Sequence, residues 1–365
     1  MYDDALKTAA NATPLDAYEK AIVSPGLSME HPYIAACQAR GIPLVSELQF
    51  GVEELKRQGV RMIAVTGSKG KSSVVKVVTD ALNRADNVRA VACGNYGKPV
   101  SEVALEGGAD WAIIEVSSFQ METTNLPPNT FDAAALLNLQ SDHLDRHKSL
   151  AVYHGLKHKL LAMGKMRLEG PAGLERFAAH LEGSYFDNSI LSANGTIAAA
   201  LMRIAGLNDR TIAAAFRDYE PLPHRMNEVG VFGGIRCVDD SKATSIAALA
   251  AGVTMCGEGG VRLIAGGLAK CDDPLSVRSC IAQSVKKVYL IGRSAEDFAA
   301  AWKDVVACEI CGTLDKAVAS AFRDAVKGET ILLSPGTASF DQFKSFEQRG
   351  EVFAELVKKE GQTRK

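Results

Sequence analysis

The chain has 365 residues, with 41 Lys and Arg against 43 Asp and Glu and a formal net charge of −2. That length exceeds one ordinary core, so two or three domains are expected. The charge balance gives no general attraction to nucleic acid or to an anionic membrane, and no apolar run is long enough to cross a bilayer. The first residues, Met1-Tyr-Asp-Asp, lack a signal peptide's charged and apolar regions, so the cytoplasm is the expected compartment. Eight cysteines in a chain this size make no disulfide framework. Cys308-Glu-Ile-Cys311 has redox or zinc spacing, but no second pair accompanies it.

Taken in order, residues 24–26 (Ser-Pro-Gly) read as a turn, followed by a helix over 30–40, a short strand at 44–45 and a helix over 50–58. This is too little for an open parallel sheet of its own, and it is expected to pack on the next domain. From residue 60, apolar strands alternate with helices, the pattern of a parallel α/β sheet. Strands are expected near 89–93, 111–115 and 133–137, and helices over 150–163, 194–205 and 209–219. Residues 164–192 show no clear periodicity. Pro221-Leu-Pro223 makes a stiff connector, after which strands near 236–239, 262–265, 287–291 and 330–333 and a last helix over 344–359 outline a second nucleotide-type α/β domain.

The chemistry concentrates at strand ends. Apolar residues 62–65 run into Thr66-Gly-Ser-Lys-Gly-Lys-Ser-Ser73 and then into a helical pattern from Val74. Glycines let backbone N–H groups turn onto an anion and the helix start adds partial positive charge. Lys71 neutralises phosphate and the Ser72 hydroxyl can ligate Mg²⁺. Glu115 ends an apolar strand in Glu115-Val-Ser-Ser-Phe-Gln120, where a carboxylate can meet a magnesium ion held near that loop. Asn138 and Asp142-His-Leu-Asp-Arg-His147 follow the next strand, with His154 and His158 spaced i, i+4 beyond. Four of the seven histidines thus fall within sixteen positions. A loop histidine beside a phosphate–magnesium site reads better there than a zinc cluster. Three further strand ends carry Asp240-Ser-Lys-Ala-Thr244, Gly266-Gly-Leu-Ala-Lys270 and Ser334-Pro-Gly-Thr-Ala-Ser339, with Leu222-Pro-His-Arg225 at the domain junction.

These motifs, with Ser24-Pro-Gly, His31-Pro and Ser339-Phe-Asp-Gln-Phe-Lys-Ser-Phe-Glu-Gln-Arg-Gly350, resemble the ATP-dependent Mur ligases of peptidoglycan synthesis, the D-glutamate-adding branch above all. The resemblance runs from Ser24 to the C-terminus. It implies a three-domain α/β ligase: a reduced N-terminal domain (1–58), a central P-loop-type parallel-sheet ATPase domain (59–221) and a C-terminal Rossmann-like domain (222–365). The implied reaction adds D-glutamate to UDP-N-acetylmuramoyl-L-alanine through an acyl phosphate, with ATP and two Mg²⁺. Two further readings stay open: the same chemistry on a smaller carboxylate without UDP, and a non-catalytic nucleotide-binding descendant.

By the same resemblance Gly67, Ser68, Lys69, Gly70, Lys71, Ser72 and Ser73 cradle the nucleotide, joined by Asn194, His224, Arg225 and Asp240. Lys71, Glu115, His143 and Lys157 are catalytic. Ser72, Glu115, His143 and a carbamylated Lys157 hold metal. Asn95 and Asn138 touch the muropeptide, while Lys242, Lys270, Ser339, Phe340 and Phe346 form the amino-acid pocket. A monomer acting on small molecules, with neither nucleic-acid nor membrane partners, is the expectation. The sequence departs from the family at Lys69, where an asparagine is usual, at Leu268, and at Ala193 and Ile197 around Asn194.

Overall fold

The computed structural model describes residues 18–140, 144–257, 260–269 and 272–362, leaving out the side chains of Leu144 and Asp145. His143 and Lys270 lie outside the described residues. Two compact units divide the chain at Tyr219 and Glu220. No helix among the described residues is long and apolar enough to cross a membrane.

The first unit opens with β1 (Ala21–Val23), α1 (Pro32–Ala39) and β2 (Leu44–Ser46), the two strands pairing in parallel. Ser46 then caps α2 (Glu47–Arg57), accepting from the Gln49 amide at 2.9 Å. The remaining elements are β3 (Arg61–Thr66), α3 (Lys71–Leu82), β4 (Ala90–Gly94), α4 (Val100–Glu106), β5 (Trp111–Glu115), α5 (Ser118–Met121), β6 (Phe131–Leu136), α6 (Leu144–His147), α7 (Leu150–Leu161), β7 (Gly164–Glu169), α8 (Ser192–Ile204) and α9 (Asp209–Arg217). Strands β3 to β7 form one parallel sheet in the order β4-β5-β3-β6-β7. Its inner strands are apolar on both faces because helices cover both. One face buries Ile63, Val74, Val78, Ile197 and Phe216. The other buries Leu48, Val52, Leu55, Met62 and Ile114, so α2 belongs to this core. Gly51 of α2 lies so close to Val100 and Ser101 that a methyl group there would collide with their backbone. The chain leaves β3 for β4 on one side and returns to β6 on the other. The carboxyl ends of β3, β5 and β6 therefore flank the crevice where open parallel sheets take ligands.

The second unit comprises β8 (Asn227–Phe232), β9 (Ile235–Asp239), α10 (Ile246–Cys256), β10 (Val261–Gly266), α11 (Arg278–Ser284), β11 (Val285–Ile291), α12 (Ala295–Trp302), β12 (Ala307–Gly312), α13 (Leu314–Asp324), β13 (Thr330–Leu333) and α14 (Phe346–Gln362). The strand order is β12-β11-β10-β13-β9-β8, parallel except for β8, which returns antiparallel onto β9. Leu249, Val253, Phe298 and Trp302 fill one face, while Phe322, Phe353 and Val357 fill the other. Insertion of β13 between β10 and β9 places the three loops at 240–244, 267–269 and 334–339 side by side on one edge. Cys308 packs with the first of these cores and Cys311 with the second, because residues three apart on a strand face opposite sides.

Four strands have no clear signature in the sequence, the three-residue β1 among them. Residues 164–192 contain β7 and a 3-10 turn at Glu175–Leu181, where no periodicity was expected. Strands β7, β8 and β12 sit at or near sheet edges, and each is half exposed, with no apolar run to mark it.

Candidate functional site

The phosphate loop forms where β3 passes into α3, and its two glycines are needed for different reasons. Gly70 has φ 81°, and a Cβ there would strike the Asn194 amide; Gly67 has φ 153°, and a Cβ would press on Leu137 at 3.0 Å. Side chains from other elements then fix the loop. Asn138 accepts from the Lys69 amide at 2.9 Å and donates to the Lys69 carbonyl at 3.0 Å and to Asn194 Oδ1 at 3.2 Å. The Ser68 hydroxyl takes the Gln140 amide at 2.9 Å and meets the Tyr153 hydroxyl at 3.1 Å. Helix α3 starts at Gly70 with no capping side chain. Such a start in a 12-residue helix turns its first amides and its dipole toward an anion.

Two ammonium groups converge on the same loop. Lys71 Nζ donates to the carbonyls of Gly67 at 2.8 Å and Ser68 at 3.3 Å. Lys157 Nζ, on a side chain 1% exposed, donates to the Gly67 carbonyl at 2.9 Å and lies 4.6 Å from the Tyr153 ring centroid. Next to β3, the last residue of β5 is Glu115, paired in register with Val65 and 2% exposed. Its Oε1 accepts from Asn95 Nδ2 at 2.6 Å, whereas its buried Oε2 has no hydrogen-bond partner. A buried carboxylate oxygen left open is costly without a cation or donor. That donor set fits a hard divalent ion, which takes oxygen ligands and keeps several waters.

A second group of side chains locks the segment after β6 to the segment after β5. Glu122 receives Arg146 at 2.6 Å and faces His147 Nδ1 at 3.3 Å, while His147 Nε2 meets the Ser118 hydroxyl at 2.9 Å. Arg146 also donates to the Leu27 carbonyl at 2.5 Å, tying in the N-terminal strand pair. The imidazole of His147 lies beside the rings of Phe119 and Tyr153. His158, the other helix histidine, is taken up on the surface by Glu169 at 2.9 Å. This hydrogen bond raises the His158 pKa above its ordinary value.

In the second unit the loops after β9 and β13 are joined by Arg349 of α14, which is fully buried. Its guanidinium donates to the Ser241 hydroxyl at 3.0 Å, the Ser241 carbonyl at 2.9 Å and the Thr337 carbonyl at 3.2 Å. Burial pulls its pKa down to about 10. Asp240 accepts from Ser334 Oγ at 2.8 Å, and burial pushes its carboxyl up to about 7. Asp239 accepts from His224 Nδ1 at 2.6 Å and from the Ser241 amide at 2.9 Å. Lys242 Nζ stands 3.6 Å from the Phe346 ring centroid, a close cation–π contact. His224 meets the same ring edge-on at 6.2 Å. Backbone strain marks the preceding loop, with His224 at φ 61° and Met226 at φ 52°.

Within the first unit the structure brings Gly67, Ser68, Lys69, Gly70, Lys71, Asn138, Lys157 and Asn194 together, with Glu115 at the end of the neighbouring strand and Asn95 just past β4. Ser72 is half-buried and Ser73 buried in the first turn of α3. Asn95 and Asn138, expected to face substrate, have amides engaged with Glu115 and with the phosphate loop. In the second unit Lys242 and Phe346 meet and Ser339 is buried, whereas Phe340 is 70% exposed. Sequence reasoning passed over Tyr153, Glu122, Asp239 and Arg349 as actors. The doubled acid at 239–240 and the arginine inside an otherwise polar motif were the available signals.

Residues 65–168 match the Mur ligase middle domain. A UDP-N-acetylmuramoylalanine–D-glutamate ligase from Myxococcus xanthus is 33% identical over 386 residues, spanning 92% of this chain and 83% of its own. One from Rubrobacter xylanophilus is 34% identical, spanning 94% and 85%. Among solved structures, a MurF ligase from Thermotoga maritima in complex with ADP aligns with a TM-score of 0.63 at 14% identity, covering 97% of this chain and all of that one. At that identity the likeness is one of fold. The chain belongs to the Mur ligase family, with the UDP-N-acetylmuramoylalanine–D-glutamate ligases as its near relatives, and is an ATP-dependent ligase.

Proposed function

We propose that this ligase joins the amine of D-glutamate to the carboxylate of UDP-N-acetylmuramoyl-L-alanine, with ATP cleaved to ADP and phosphate. The near relatives carry that activity in their names. The observation that carries the reading on this chain is the prebuilt phosphate loop with the Lys71 ammonium on it and a buried, half-satisfied Glu115 on the adjoining strand.

The carboxylate is a poor electrophile, so it is first made an acyl phosphate by attack on the γ-phosphoryl group, and the amine then displaces phosphate. Neither step needs covalent help from the protein. What is needed is charge neutralisation and positioning. Lys71 and the amides at the start of α3 hold the β- and γ-phosphates. Asn138 and Tyr153 keep the loop from relaxing when the anion departs. Glu115 and Ser72 fit one Mg²⁺, with His143 and a carbamylated Lys157 as further ligands; the ion would supply charge neutralisation on the phosphoryl group. Asn194, Arg225 and Asp240 serve the nucleotide, while Lys242, Lys270, Ser339, Phe340 and Phe346 serve the amino acid; the resemblance also gives His224 to the nucleotide, but its ring engages Asp239 and borders Phe346. The cytoplasm, where ATP and the nucleotide-linked precursor are found, is the proposed compartment.

The test is phosphate and ADP release. Both are expected only when UDP-N-acetylmuramoyl-L-alanine, D-glutamate and Mg-ATP are present together, and Lys71→Ala should abolish turnover while the circular dichroism spectrum is kept. Release that needs no acceptor carboxylate, or an active Lys71→Ala protein, would overturn the reading.

A further inference from the structure

The incoming amino acid arrives as an ammonium ion, which cannot attack a carbonyl until it loses a proton. None of the phosphate-loop residues serves that purpose, since Lys71 and Lys157 are donors placed against carbonyls. The second unit holds a pair suited to it. His224 Nδ1 donates to Asp239 Oδ2 at 2.6 Å, and the other oxygen of Asp239 is fixed by the Ser241 amide. Asp239 is 3% exposed, and these two hydrogen bonds, one to each oxygen, hold its carboxylate. With Nδ1 committed as a donor, Nε2 is the ring's acceptor, and no hydrogen bond occupies it among the described residues.

Two further features show that this arrangement is built rather than incidental. His224 sits at φ 61°, a conformation costly for a residue with a side chain and kept only where the surroundings impose it. Gly350 lies directly beneath the pair, where any Cβ would strike both His224 Nδ1 and Asp239 Oδ2. The ring also borders Phe346, whose face carries Lys242, and both belong to the proposed amino-acid pocket.

We propose that His224 is the general base that deprotonates the amino-acid ammonium, and that Asp239 is the positioning residue that holds its tautomer. The inference rests on the acyl-phosphate reading above. An N–H bond of the ammonium breaks and its proton passes to Nε2. The freed amine forms the C–N bond at the acyl carbon, the C–O bond to phosphate breaks, and phosphate leaves with the electron pair and the second amine proton. The imidazolium beside Asp239 then returns its proton to water.

Hydroxylamine provides the test, because it is already a free base at neutral pH and traps an acyl phosphate as a hydroxamate without help. His224→Asn, a residue that tolerates positive φ, should lower kcat for D-glutamate by about a hundredfold or more at saturating amino acid. With ATP saturating for each protein, ATP-dependent hydroxamate formation should fall far less than amide formation. Asp239→Asn should lower the same kcat by about tenfold or more and spare hydroxamate in the same way. Parallel loss of amide and hydroxamate, or a loss confined to KM for D-glutamate, overturns the proposal and leaves the ligase reading standing. A wild-type protein that forms neither product overturns the ligase reading and this inference with it.

Discussion

Glu115→Gln separates stability from function in a way few substitutions in this chain can. In the ligand-free protein Glu115 accepts one hydrogen bond, from Asn95 at 2.6 Å, and its Oε2 is buried without a partner. An orphaned buried polar atom costs about 1–3 kcal/mol. Glutamine keeps the volume and the bond from Asn95, which weakens by about 1 kcal/mol when its acceptor loses charge. It also removes a buried charge but leaves its own amide N–H groups unpartnered where Oε2 stood, so the effects oppose and the sum lies within about 2 kcal/mol of zero. For a unit of this size that is a shift of a few degrees in melting temperature at most. With Mg-ADP present the order should reverse. Wild type gains stability from a ligand that binds only the folded state, and the variant gains little because its cation ligand is gone. Turnover should fall by about a hundredfold or more, since a bound metal supplies several kcal/mol of charge stabilisation. Thermal unfolding with and without Mg-ADP, beside phosphate release, reads all three. A variant more than about 2 kcal/mol less stable without ligand, yet stabilised by Mg-ADP as wild type is, would remove Glu115 from the metal site.

Three other outcomes are expected in the second unit. Gly350→Ala should cost about 1–3 kcal/mol by urea unfolding, because its methyl group collides with the His224–Asp239 pair. Arg349→Met should cost about 3–5 kcal/mol, since it leaves the carbonyls of Ser241 and Thr337 without their buried donor. At low pH the network around Lys287 should fail. Hydrogen bonds from the Lys287 ammonium hold Asp324 and Glu309 below their ordinary values of 3.8 and 4.5. Folding thus favours their deprotonated forms, and that stability is complete above those values and is lost as pH falls below them. Lys287→Met should flatten this acid limb in denaturation curves taken from pH 7 to pH 3.

What was legible in the sequence divides by the range of the interaction. Strands β3 and β5 announced themselves because four consecutive apolar residues are buried from both sides. Strand β7 did not, because Lys165, Met166 and Arg167 face water at a sheet edge. In the site, the glycines and Lys71 could be read directly, since the residue types are themselves the chemistry. The clamps could not. Asn138 and Asn194 meet across 56 residues, and Arg349 reaches Ser241 across 108. No local pattern reports such pairs. The His224–Asp239 pair was within reach at a separation of 15, but the acid beside it, Asp240, drew the attention. Exposure was the other blind spot: Phe340 and Phe346 look alike in the motif, yet one stands in solvent and the other carries Lys242.

If ATP cleavage is spent on one amide bond to D-glutamate, the label of that amino acid must follow the nucleotide stoichiometry. Labelled D-glutamate supplied with UDP-N-acetylmuramoyl-L-alanine and Mg-ATP should appear in a single UDP-linked product, mole for mole with ADP, and labelled L-glutamate should not. ADP formed without transfer of label, or equal transfer from the two enantiomers, would exclude the proposed reaction.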